Sequence, residues 1–222
     1  MSILLDISAS ILRYFSFLCP IFCSIFINYY SGDINMTKKT AILLIADGSE
    51  EMEAVITTDV LRRAGIDVTV AGLTDEKCVK CSRDVKICVD AKMQDLVGSQ
   101  KYDVVILPGG LGGSKTFASS ADVGNLLQQQ EKEGRLIAAI CAAPTALKAH
   151  GIAKGKQVTS YPAMKDQLEN DYKYLEDKVV VDGNLITSRG PATAFAFGLA
   201  IVEKLLDKEA AEKVASGMLY NQ

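Results

Sequence analysis

The stretch LIAAICAAPTAL, Leu136 to Leu147, sets one cysteine where an apolar run gives way to a helix-forming segment. A side chain at the abrupt junction of a strand and a helix points into the crevice beyond the sheet. The helix that starts there presents free N–H groups and a partial positive charge to it. A thiol so placed loses its proton more easily, its pKa dropping from about 8.5 to roughly 3.5–7.5. Cys141 therefore reads as a thiolate nucleophile. The competing reading is an inert core thiol, because free cysteine is among the most buried residue types. The chain's single histidine, His150, is a poor activator: nine residues along one helix place it about 13 Å away by helical rise.

That leaves carboxylates. GSEEMEAV puts Glu50, Glu51 and Glu53 after the first strand, at the mouth of the same crevice. An ionised glutamate beside the sulfur raises the thiol pKa, whereas a protonated one can donate a hydrogen bond to the thiolate. A useful glutamate is therefore partly buried with a raised pKa. The bland alternative is that all three acids simply favour a helix N-terminus. The Gly109-Gly110 loop after the neighbouring strand supplies backbone N–H groups that, with that of Ala142, form an oxyanion hole for a carbonyl attacked by sulfur.

The elements that must position these groups follow from hydrophobic periodicity. AILLIA (Ala41 to Ala46) is a continuous apolar run, suited to a strand buried on both faces. Val55, Val60, Leu61 and Ala64 share one helical face ending at Gly65, and IDVTVAGL is the next strand. The alternation recurs: YDVVILPGG is a strand into a glycine loop, VGNLLQQQEKEG a helix, RLIAAI a strand, and CAAPTALKA a helix. KVVVDGNLITS reads as a hairpin about Asp182-Gly183-Asn184, and ATAFAFGLAIVEKLL as a largely buried helix. The expected fold is α/β, a doubly wound, mostly parallel sheet sandwiched by helices, flavodoxin-like, with Cys141 at a nucleophile elbow. Its ligand crevice lies beyond the C-terminal strand ends, where Asp47-Gly48, Gly109-Gly110 and Cys141 all fall.

Composition bounds the rest. At 222 residues, 49% hydrophobic and 23% charged, the chain fits one such domain over residues 36–222. A net charge of -3 with no long basic run gives no footprint for nucleic acid. Six cysteines in a chain this long do not resemble a secreted disulfide framework, so free thiols in a reducing compartment are expected. CVKC (Cys78 to Cys81) has redox or metal-ligand spacing, but four ligands for a structural zinc are not in view, and no metal site is assigned. Residues 1–35 form a hydrophobic extension outside the fold. Its apolar run from Tyr14 to Ile27 is short for a membrane span and interrupted by Pro20, and it lacks the features of a secretory or mitochondrial signal. It reads either as an anchor or uncleaved targeting element, or as an upstream extension with Met36 as an alternative start.

EEMEAV, RRAGIDVTVAGL, CSRDV, YDVVILPGG, AAICAAPTAL and TSRGPATAF, in order over nearly all of residues 38–206, closely resemble the Parkinson-disease-associated protein deglycase family, the DJ-one branch of the ThiJ/PfpI superfamily. The resemblance implies Cys141 as the oxidisable nucleophile, Glu53 as the protonated acid touching it, and Gly110 with Ala142 as backbone donors. It further implies a homodimer with Arg63 and Arg83 near the site and the dimer contact, and Cys81 and Cys88 as peripheral thiols. The implied activity is a cofactor-free glyoxalase and deglycase acting on methylglyoxal, glyoxal and early glycation adducts of proteins. A role as an oxidative-stress sensor or redox-regulated chaperone is the alternative. The implied location is cytoplasmic, with mitochondrial and nuclear pools. Two positions depart from the family pattern. TSYP stands where TTHP is common, so Tyr161 replaces a histidine near the cysteine, and a phenol is a poor general base at neutral pH. Ala143 stands where CAGP is usual and adds a methyl group beside the pocket.

Overall fold

The strand β1 (Thr40–Ile45) is buried on both sides because its alternating side chains serve two separate cores. Leu43 and Ile45 face one core with Leu61 and Phe197, while Ile42 and Leu44 face the other with Phe117 and Leu147. Burial of each such side chain stabilises the fold by about 1.5–3 kcal/mol. This two-sided core is the physical content of the unbroken apolar run in the sequence.

The structure is a computed structural model and describes residues 38–220 apart from residues 97 and 99. The hydrophobic extension assigned to residues 1–35 lies outside the described residues. After β1 come α1 (Glu51–Arg63), β2 (Asp67–Gly72), the short strands β3 (Cys78–Lys80), β4 (Lys86–Cys88) and β5 (Ala91–Lys92), and α2 (Met93–Leu96). They are followed by β6 (Val104–Leu107), α3 (Leu111–Ser119), α4 (Ala121–Lys132), β7 (Leu136–Ile140) and α5 (Pro144–Ala149). The chain continues through β8 (Gln157–Val158), α6 (Lys165–Leu168), β9 (Lys173–Tyr174), β10 (Val179–Asp182), β11 (Leu185–Ser188), α7 (Ala194–Leu205) and α8 (Lys208–Gly217).

Seven strands form the central sheet in the order β10-β11-β7-β6-β1-β2-β5. Only β10 runs antiparallel to its neighbour, β11; the other pairings are parallel. The chain winds from β1 through β2 to one edge and from β6 through β7 to the other, so the switch point falls between β1 and β6. The loops after β1, β6 and β7 open there, as the doubly wound reading requires. The β10–β11 hairpin turns at Gly183, whose φ of 63° suits glycine.

Three local features differ from the sequence-based expectation, the first being Val55, which is exposed on α1 instead of buried with Val60 and Leu61 because five residues of helix turn it to another face. Residues Cys141–Ala143 form a turn, and α5 starts only at Pro144, where a missing N–H costs nothing. The segment CVKCSRDVKIC, without regular alternation, forms the antiparallel hairpin β3–β4, in which Cys78 pairs with Cys88.

Candidate active site

Cys141 is the first residue beyond β7, and its backbone is held at φ 63°, a left-handed conformation that costs a non-glycine residue about 1–2 kcal/mol. Two hydrogen bonds over-determine it: the Cys141 N–H donates to the Ser188 carbonyl at 3.0 Å, and the Tyr161 N–H donates to the Cys141 carbonyl at 2.8 Å. Strain of this kind is maintained where a side chain must be aimed, and here it turns the thiol toward the loop after β6. The elbow expected from the sequence is therefore present.

Glu53 lies in the first turn of α1 and is fully buried, an unusual place for a carboxyl. Its Oε2 accepts the Gly109 N–H at 2.6 Å. The other oxygen, Oε1, is buried and makes no hydrogen bond of good geometry. The carboxyl nevertheless interacts closely enough with the Cys141 thiol for each to shift the other's ionisation. Burial pushes Glu53 up to about 7, against the Gly109 and Cys141 hydrogen bonds that favour its charged form. Near neutral pH this group holds its proton about half the time.

Cys141 corrects one expectation. Burial, followed by the charge of Glu53, pushes the thiol up to about 12, outweighing the N–H groups of Gly110 and Ala142 that favour the thiolate. The physical reason is the cost of burying a charged sulfur beside the Glu53 carboxyl; with α5 beginning three residues later, the helix does not offset it. Burial and the charge of the neighbouring carboxyl thus oppose the thiolate expected from the elbow alone. A thiol beside a carboxylate of pKa about 7 is a donor–base pair, in which the sulfur proton has a place to go when the sulfur attacks.

The loops close tightly around this pair. A Cβ on Gly109 would lie 2.5 Å from Cys141 Cβ and 2.7 Å from Glu53 Oε2. Gly110 has φ 83°, and a Cβ there would fall 2.6 Å from the Glu50 nitrogen. The N–H groups of Gly110 and Ala142 both hydrogen-bond toward the sulfur.

The other acids fit the bland reading: Glu50 caps α1 by accepting the Met52 N–H at 3.4 Å, and Glu51 faces the β3–β4 hairpin. Hydrogen bonds to Glu51, including those from Ser82 and Arg83, outweigh its burial and hold its carboxyl below the usual value. Arg83 thus meets Glu51 through its backbone N–H at 2.9 Å, while its guanidinium bonds the Ser82 carbonyl. Arg63 is not brought to the site of its own chain. It ends α1, about 15 Å of helical rise from Glu53, and pairs with Asp59 at 2.7 Å. Tyr161 stands half exposed over Gly190, next in contact to the elbow through its backbone. Ala143 is fully buried against the second core. His150 bonds the Phe117 carbonyl at 2.8 Å and packs on Gly124, away from the pair.

Of the cysteines expected to be free, Cys88 is not: it forms a disulfide with Cys78, and Cys81 remains a buried thiol. The CVKC spacing therefore does not define the pairing. Ser188 and Tyr161 were missed as backbone anchors of the elbow, and only their places, Ser188 at the end of β11 and Tyr161 before Pro162, hinted at them.

Comparison with known proteins identifies the family and the fold. The sequence profile of the DJ-1/PfpI family matches residues 39–204. Protein dj-1beta of Drosophila melanogaster is 59% identical over 187 residues, 83% of this chain and 100% of that protein. The glutathione-independent glyoxalase DJR-1.2 of Caenorhabditis elegans is 46% identical over 169 residues, 76% of this chain and 89% of that protein. The crystal structure of Drosophila melanogaster DJ-1beta superposes with a TM-score of 0.81 at 57% identity, covering 83% of this chain and 100% of that one.

Proposed function

The chain belongs to the DJ-1/PfpI family, and from that premise we propose that it is a cofactor-independent glyoxalase that uses Cys141 and Glu53 on methylglyoxal and glyoxal, with early glycation adducts of proteins as further substrates. The observation that carries this reading is the fully buried Glu53 carboxyl, raised to about 7 and set against the Cys141 thiol. A relative 46% identical is named a glutathione-independent glyoxalase, and in the proposed reaction the Cys141 thiol takes the place of glutathione.

The proposed reaction uses these two groups in turn. Sulfur adds to the aldehyde carbon of methylglyoxal while the thiol proton passes to the Glu53 carboxylate; Glu53 hands that proton to the new alkoxide, held by the Gly110 and Ala142 N–H groups, which completes the hemithioacetal and restores the carboxylate. Glu53 then removes the proton from the former aldehyde carbon and returns one to the neighbouring carbon, leaving a thioester. Water cleaves the thioester to lactate and regenerates the thiol. The net change is addition of one water to one methylglyoxal.

The test is methylglyoxal consumption with lactate detection in thiol-free, amine-free buffer, comparing the full chain with Cys141→Ser. Lactate from the wild type alone supports the reading. Equal turnover by both proteins, or by neither, sinks it.

A redox-sensor reading is supported by the partial exposure of Cys141 beside a carboxyl able to donate to a sulfinate. Intact mass after mild peroxide tests it: no oxygen gained at Cys141 removes this role. The exposed Met52 and Val55 on α1 offer an apolar face for the homodimer that the family likeness implies, checked by light scattering.

A further inference from the structure

The β3–β4 hairpin joins two features that the proposed reaction does not use. At its open end, Cys78 and Cys88 form a disulfide across paired strands, with Cys88 exposed to solvent. At its closed end the hairpin is bonded to the loop that leads into α1. Gly48 N–H donates to the Lys80 carbonyl at 2.8 Å, and Lys80 N–H to Asp47 Oδ1 at 2.8 Å. Ser82 N–H donates to the Ser49 carbonyl at 2.8 Å, and Arg83 N–H to Glu51 Oε1 at 2.9 Å. The Ser82 hydroxyl lies 2.7 Å from Glu50 and 2.8 Å from Glu51.

The same loop is bonded to the site, for Glu50 N–H donates to the Gly109 carbonyl at 2.9 Å and Gly109 N–H to Glu53 at 2.6 Å. A continuous set of hydrogen bonds, backbone to backbone except for the last onto the Glu53 carboxyl, thus runs from the disulfide-closed hairpin to the group beside Cys141. A hairpin with strands of three residues is marginal by itself, so closure of its open end decides how firmly it grips the loop.

We propose that Cys78 and Cys88 are a reversible redox site that clamps the hairpin and, through it, the loop positioning Glu53. Closing the bond removes two electrons and two protons from the thiol pair, which pass to a disulfide oxidant such as oxidised glutathione. Opening it reverses the exchange with two glutathione thiols, through a mixed disulfide at the exposed Cys88. An exposed disulfide of this kind is the labile, regulatory type, unlike the sequestered bonds of disulfide scaffolds. Cys81, nearer to Cys78 in sequence, is the poorer partner: it is buried, and burial with the carboxylates of Glu51, Glu50 and Asp47 pushes its thiol up to about 11.

The test equilibrates the full chain in glutathione buffers of varied oxidised-to-reduced ratio, then alkylates and maps thiols by peptide mass. Cys78 and Cys88 are expected to become protected together as the ratio rises. A bond that never closes, or that stays closed in reduced glutathione, overturns the redox site. The clamp is read by amide hydrogen exchange: Ser82 and Arg83 should exchange roughly tenfold faster in the reduced protein and in Cys78→Ser or Cys88→Ser. Exchange equal to that of the oxidised wild type overturns the clamp. A slower turnover in the reduced form is expected as well: turnover unchanged despite faster exchange would overturn the link from hairpin to Glu53, while no turnover in either form would indict the Cys141–Glu53 reading on which this readout rests and leave the clamp standing.

Discussion

The Gly109 N–H meets Glu53 Oε2 at 2.6 Å, so a glycine on the loop after β6 and a carboxyl on α1 are locked together directly over Cys141. The absence of a side chain on Gly109 is what permits this approach. In Gly109→Ala, the new methyl group would lie 2.5 Å from Cys141 Cβ and 2.7 Å from the carboxylate oxygen, and neither neighbour can retreat into a filled core. The variant should lose about 1–3 kcal/mol of stability and most of its methylglyoxal turnover. Urea unfolding and lactate formation measure both, and a stable, active variant would refute the close packing.

The Glu53 carboxyl makes stability depend on pH with a sign opposite to that of a salt-bridged acid. Its ordinary value is 4.5 and its value in the fold about 7, so between these limits the folded chain holds a proton that the unfolded chain has released. The stabilisation is complete below 4.5 and is lost as pH rises through 7, by about 3 kcal/mol in all. Glu53→Gln should abolish this slope while lowering turnover at least ~100-fold, since glutamine accepts no proton. Urea midpoints from pH 4.5 to 8 give the comparison. A difference between the two proteins that does not change with pH would place Glu53 at its ordinary value.

How much of this was legible beforehand depends on the range of the interactions. AILLIA and RLIAAI announce strands buried on both faces, and the strand order of a doubly wound sheet brings Asp47, Gly109 and Cys141 to one edge, so the site could be located from local pattern alone. Glu53 could be singled out from Glu50 and Glu51 only by the family likeness, because burial is a tertiary property: one turn of helix separates a solvated cap from a carboxyl in the core. The ionisation of Cys141 was misread for the same reason, since the cost of burying charge is invisible in a strand–helix junction. The hairpin was missed because CVKCSRDVKIC has three-residue strands, too short for periodicity, and its Cys78–Cys88 partnership depends on register.

Backbone strain at Cys141 can be isolated from its chemistry. With φ at 63°, any side chain bearing a Cβ is penalised, whereas glycine is not. Both Cys141→Ala and Cys141→Gly should be inactive, yet the glycine variant should be the more stable of the two by about 1 kcal/mol, against the usual rank order. Thermal unfolding decides it. An alanine variant as stable as the glycine one would mean that the elbow relaxes once the thiol is gone.

His150 should be silent in catalysis and audible in stability. Its ring bonds the Phe117 carbonyl at 2.8 Å and fills the space over Gly124. His150→Ala should therefore cost about 1–3 kcal/mol through the lost hydrogen bond and the cavity, with kcat changed less than about twofold. A large drop in kcat at unchanged stability would reinstate a histidine in the mechanism.

Tyr161 separates the part of the elbow that is scaffold from the part that is chemistry. Its backbone N–H holds the Cys141 carbonyl at 2.8 Å, a bond that any residue except proline can make, while its ring is half exposed over Gly190. The hydroxyl makes no hydrogen bond among the described residues. Tyr161→Phe should thus leave both stability and kcat nearly unchanged, within about 0.5 kcal/mol and twofold. Tyr161→His keeps the same backbone bond to the Cys141 carbonyl and sets an imidazole, ordinarily titrating at about 6.5, on the segment bonded to the elbow, so any charge effect on the Glu53 carboxyl acts across that segment. The protonated imidazole would favour the charged form of Glu53 and extend its activity to lower pH. The pH profile of kcat/KM should then shift its acid limb downward in Tyr161→His alone. An equal shift in Tyr161→Phe would assign the effect to loss of the phenol, and no shift in either would show that position 161 contributes its backbone and nothing more.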